Sequence, residues 1–201
     1  MKENNYTGIL PRQEKGIEIK AEEEITFDDV IAAGEFYEQA KMRLLDVNHW
    51  HELGLRAVFQ LIDASGNEVN GQAREGLYFR IDIPGPGTNA GDGYDWVQVQ
   101  KIAEYNSGDV RSIALQVRPA ANPTAPEGET THFYSDGSTS TFTVTREGNK
   151  LTAAIYDRNI EPNKEAGSLP DKLRNAIVGT AGMTIFSKLE WEALAKGLVK
   201  E

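Results

Sequence analysis

The 201 residues contain no cysteine, which excludes disulfides, thiolate metal ligands and cysteine nucleophiles. Basic residues are in deficit. The 21 Lys and Arg stand against 31 Asp and Glu, giving a net charge of -10 and a pI near 4.9. A grip on phosphate backbones needs clustered cations to displace counterions, so no nucleic-acid partner is expected. Long apolar runs are also missing. No stretch approaches the roughly 18 apolar residues of a membrane span, and the opening MKENNYTGILPRQEKG lacks the apolar centre of a secretion signal. The expectation is a cytoplasmic protein with no stable membrane insertion.

Catalytic and metal signatures are equally scarce. There is no G-x-S-x-G elbow, and a Ser-His-Asp site has no serine in an activating setting. Of three histidines, His49 and His51 flank Trp50 in LLDVNHWHELG, but residues two apart on a helix point about 200° apart. Helical metal ligands sit three or four apart, so no metal site is assigned to HWH. The glycine-rich segment 85–93 is followed by the strand-like YDWVQV rather than a helix N-terminus, which argues against a phosphate cradle. Asn89, Asp92 and Asp95 lack the EF-hand spacing and its terminal Glu, so the segment reads as a hairpin loop. No cofactor is expected.

What is present is an ordinary globular composition, 39% hydrophobic and 26% charged, with clear periodicity. Residues 1–16 are polar and read as a flexible N-terminal arm ahead of a single domain, 17–201. Ile17, Ile19 and Ala21 alternate as a first strand. Asp28 or Asp29 can cap a helix whose apolar stripe runs Val30, Ala33, Phe36, Tyr37, Ala40, Leu44. Asp46 offers a second cap, and Gly54 closes a short helix over 47–53. The period then changes to two, predicting strands at 55–61, 77–83, 94–105, 111–118, 130–145 and 150–158. A bulge is expected at Asp136-Gly137, and RPAANPTAPEG reads as a long loop. Ser168-Leu169-Pro170-Asp171 reads as a helix start, and without a later proline that helix can run to about Lys200.

Strand, two helices, antiparallel strands and a long last helix make an α+β chain. A Trp closes the paired short helices in DVNHWHELG, and Gly167-Ser-Leu-Pro-Asp-Lys-Leu-Arg-Asn175 is similar to the Gly-x-x-Pro lead-in of the last helix in START proteins. On these grounds the chain resembles the START and Bet v 1-like (SRPBCC) superfamily. The resemblance implies a helix-grip fold, a curved antiparallel sheet wrapped around the C-terminal helix, with a hydrophobic cavity between them. Gly179, Ala181 and Gly182 in that helix leave room either for a ligand or for close packing of helix on sheet.

By strand parity Phe59, Phe79, Val99, Leu115, Phe142 and Ile155 face inward, toward Thr180, Met183 and Thr184. Trp50 packs on the sheet or a helix end, or lines the cavity mouth. Arg118 and His132 flank the Pro-rich loop and are candidate polar anchors. Trp96 falls on the opposite face without an evident role. The expected function is binding of a hydrophobic small molecule or lipid. The alternatives are a cyclase- or hydrolase-type enzyme of the same superfamily, or a regulatory protein-interaction domain with a filled core. A buried titratable group in the cavity would favour the enzyme, and the absence of a void large enough for a small molecule would favour the interaction domain.

Overall fold

A computed structural model describes residues 3–83, 93–125, 134–161 and 179–201, with side chains in the last stretch from Thr184 onward. Strand β1 (Ile17–Thr26) leads into helix α1 (Val30–Leu45) and a 3-10 helix (Val47–Leu53). Six strands follow: β2 (Val58–Ile62), β3 (Tyr78–Asp82), β4 (Asp95–Ser107), β5 (Val110–Pro119), β6 (Thr139–Glu147) and β7 (Lys150–Ile160). The closing helix, α2, spans Gly179–Leu198, about 30 Å at 1.5 Å per residue. The predicted start at Ser168 lies outside the described residues, as do the side chains of Gly179, Ala181 and Gly182.

The seven strands form one antiparallel sheet in the order β1-β7-β6-β5-β4-β3-β2. Each neighbour from β2 to β7 is joined by a local connection, while β1 crosses the helices to pair with the last strand. With α2 packed on one face, this is the helix-grip α+β fold the sequence predicts.

Local chemistry explains the helices. Asp29 accepts hydrogen bonds from the Ile31 and Ala32 amides at 2.8 and 2.9 Å, satisfying the free donors at the start of α1. Its apolar stripe buries Ala33, Phe36, Tyr37, Ala40, Leu44 and Leu45. Asp46 makes no side-chain cap. Its carboxylate instead meets the His49 ring at 2.8 Å, because a histidine three residues on lies within reach. Gly54 ends the 3-10 helix at φ 103°, a backbone that disfavours other residues. Asp136-Gly137 is a turn rather than a bulge, with the Ser138 amide bonded to the Ser135 carbonyl at 3.0 Å, so β6 starts only at Thr139. The register shifts fall within β1 and β4, at Ile17/Ile19 and Val99/Lys101.

Alternation gives the sheet two different faces. Inward residues such as Ile113, Leu115, Val117, Phe142, Val144, Leu151, Ala153 and Ile155 join α1, the 3-10 helix and α2 in one core. The other face carries Thr141, Thr143, Thr145, Ala154 and Tyr156. Residues 3–16 lie along it. Leu10 packs on Ala154 and Tyr156, and the Ile9 carbonyl accepts from Gln116 at 2.7 Å. Asn159 binds the amides of Glu14 and Lys15, and the buried Arg158 pairs with Glu3 and Glu18.

Candidate functional site

Between α2 and the inner face lies a cavity of about 50 Å³. Apolar walls come from Ala57, Phe59, Phe79, Ile81, Val97, Val117, Phe142 and Phe186. Its polar lining comes from Tyr134, Ser140, Asp157, Ser187, Glu190 and Trp191. Register explains this grouping. Ser140 and Asp157 are direct cross-strand partners on β6 and β7, and Val117 on β5 pairs with Ser140. One rung away, Leu115, Phe142 and Ile155 are paired in the same way. That rung carries packed core at Leu115 and Ile155, and Phe142 also forms part of the cavity wall.

Asp157 is 1% exposed. Its Oδ2 accepts from the Trp191 indole at 2.7 Å, while Oδ1 is buried with no hydrogen-bond partner. Burial pushes its carboxyl up to about 6, against the pull of hydrogen bonds from Ser140 and Trp191. The Tyr134 hydroxyl meets Ser187 Oγ at 3.0 Å. Burial pushes that phenol up to about 12, and the nearby Asp157 and Asp95 carboxylates act in the same direction. Asp95, weighed from sequence as a loop ligand, is a buried strand residue in line with Val97 and Val99, with Oδ2 unpartnered. Desolvation holds its carboxyl well above the usual range.

Glu190 also lines the cavity, but its carboxylate is engaged. It accepts from the Arg56 amide at 3.2 and 3.0 Å and from the Ala57 amide at 3.0 Å, tying α2 to the lead-in of β2. Trp191 crosses Phe142 edge-on, with ring centroids 5.1 Å apart.

Among the residues read from sequence, Phe59, Phe79 and Phe142 line the cavity. Trp50, Val99, Leu115 and Ile155 sit in the packed core beside it. Trp50 is fully buried, donates to the Arg43 and Leu44 carbonyls, and wedges its ring against Phe59, Phe79 and Phe142. Thr184 is half-buried and off the cavity wall. Arg118 is exposed near the end of β5, on the outer face by alternation. Trp96 is buried, on the outer face by the same count. His132 and the side chains of Thr180 and Met183 lie outside the described residues. His49 and His51 are exposed, and among the described residues no three His, Asp or Glu side chains gather for a metal.

Sequence reasoning missed Asp157, Tyr134, Ser140, Ser187, Glu190 and Trp191. Two of them were within reach: Asp157 is two residues beyond Ile155 and Ser140 two before Phe142, so alternation alone places both inward.

No family model matches the chain, and the comparison with curated proteins found no match. Solved structures do match. A hypothetical protein from Helicobacter pylori superposes at a TM-score of 0.52, with 9% identity over 99% of this chain and 93% of that one. Truncated norcoclaurine synthase from Thalictrum flavum is similar at a TM-score of 0.34 and 9% identity, over 95% and 99% of the two chains. A START superfamily protein from Mycobacterium smegmatis is similar at 0.31 and 10% identity, over 89% and 99%. The last two likenesses are partial. The fold assignment rests on the observed strand order and on the Helicobacter chain.

Proposed function

We propose that the protein binds a small, largely apolar molecule in the recess between α2 and the inner face of the sheet. The observation that carries this reading is a cavity walled by four phenylalanines and several aliphatic side chains, with a small set of polar groups from Tyr134, Ser140, Asp157, Ser187, Glu190 and Trp191. That division is how small-molecule sites combine affinity with orientation. Size narrows the ligand. About 50 Å³ admits a few water-sized groups, so the enclosed part of a ligand is a head group of a few heavy atoms, with any ring or chain lying beyond it. A full lipid chain needs the half-buried Phe186 and Ile83 to swing aside.

Thermal shift and native mass spectrometry with toluene and indole as probes test this. Binding raises the melting temperature of the wild type, and Ser187→Leu, which fills the cavity from α2, removes the shift while leaving the circular dichroism unchanged. No shift and no adduct in the wild type would count against the reading and favour the packed-core interaction domain.

Asp157 supports a second reading. A buried carboxyl raised toward 6 is suited to proton transfer near neutral pH. Turnover of a bound ligand, abolished in Asp157→Asn, would move the protein to the enzyme class. Binding without turnover keeps it a carrier.

A further inference from the structure

The cavity carries an unpartnered carboxyl oxygen, Asp157 Oδ1, in its lining. We propose that it takes a ligand whose head is a protonated amine, held by the free Oδ1 of Asp157 against the rings of Trp191, Phe142 and Tyr134; this rests on the binding reading above.

The argument starts from an imbalance. Asp157 sits in the sheet interior with Oδ2 bonded to Trp191, Ser140 close by across the strand pair, and Oδ1 without a hydrogen-bond partner. Asp95 is a second buried acid, close enough to Tyr134 to act on it, and desolvation favours its neutral form. Among the described residues no Lys, Arg or His reaches either acid. Buried charge without a partner is costly, so the site is complementary to a species that brings positive charge and N–H donors. An ammonium supplies both, and its bond to a carboxylate is charge-assisted. Glu190 does not compete, because backbone amides already occupy its carboxylate.

The walls agree. Trp191 and Phe142 cross edge-to-face beside Asp157, and Tyr134 and Phe186 complete an aromatic lining. Cations are attracted to such ring faces, most strongly where water is excluded. Volume agrees as well, because about 50 Å³ admits a small ammonium but not a bulky head group. The net charge of -10 adds a long-range pull on cations. Carboxylate-headed ligands such as fatty acids meet repulsion at the same point.

Three probes of similar shape separate the possibilities: benzylamine, benzyl alcohol and benzoate, titrated near neutral pH with Trp fluorescence and calorimetry as readouts. Benzylamine is expected to bind roughly tenfold or more tighter than benzyl alcohol, with benzoate weakest. In Asp157→Asn, which keeps an acceptor for Trp191, the ratio of benzylamine to benzyl alcohol affinity falls to about one. Equal affinity for amine and alcohol, or a preference that survives Asp157→Asn, overturns the ammonium proposal and leaves the binding reading intact. If none of the three binds the wild type, both fall. Should Asp157→Asn fail to fold, benzoate binding the wild type as well as benzylamine overturns the proposal by itself.

Discussion

At the scale of single residues, Asp157 sets the balance between stability and binding. Its folded pKa of about 6 lies above the unfolded value near 3.9, so between those values the folded state holds the proton more often. Stability contributed by this group is therefore fullest at low pH and falls as pH rises through 6. The shift corresponds to about 3 kcal/mol at neutral pH. Chemical denaturation of wild type and Asp157→Asn at pH values from 4 to 7 should show the variant gaining on the wild type across that window by an amount of this order. A constant difference between the two would mean that Asp157 does not titrate there. The groups facing it are Ser140 on β6, Ser187, Glu190 and Trp191 on α2, and Tyr134, so the comparison isolates one acid among several polar neighbours. This acid was hidden in the sequence by its own charge. Leu151, Ala153 and Ile155 announce the inward parity of β7, yet an aspartate at the next position reads as a solvated strand end.

At the scale of elements, two contacts on α2 decide how firmly the helix seats on the sheet. Glu190 satisfies two main-chain amides ahead of β2, and leaving buried donors unpaired costs about 1–3 kcal/mol each. Glu190→Ala should lower unfolding stability by about 3 kcal/mol, measured by urea denaturation. A loss within experimental error would show that water replaces the carboxylate. Gly197 is the closer fit. A Cβ there would lie 2.6 Å from both the Cβ and the carbonyl oxygen of Leu53, so helix and 3-10 helix touch where only hydrogen fits. Gly197→Ala should destabilise by about 2 kcal/mol from overpacking, although alanine gains up to about 1 kcal/mol in helix propensity. Thermal unfolding reads the sign directly, and a rise in melting temperature would refute the close approach. Sequence reasoning looked for small residues in Gly179, Ala181 and Gly182, where three cluster. A lone glycine near a helix end resembles a cap, and only the partner element reveals it as a contact.

At the scale of the whole molecule, the element order was legible because each strand alternates and each helix keeps its stripe, and the order leaves few ways to cover a sheet. The two-sidedness of that sheet was not legible. Residues 1–16 show no periodicity, since a strap lying across strands needs single anchors such as Leu10 rather than a repeating face. Removing that anchor tests its weight. Leu10→Ala should cost about 2 kcal/mol of stability and raise proteolysis in residues 3–16, as followed by limited digestion. Unchanged stability would mean that polar contacts such as Asn159 with Glu14 and Lys15 suffice.

The pairing of β1 with β7 carries a consequence in time. Ile19 lies opposite Asp157, so on the ribosome the opening strand emerges long before its neighbour exists. Such distant partners make closure slow. A newborn chain passes through an interval in which its leading segment is made but has nowhere to dock, and the acidic run Glu22-Glu23-Glu24 in that segment keeps the waiting edge from joining another copy.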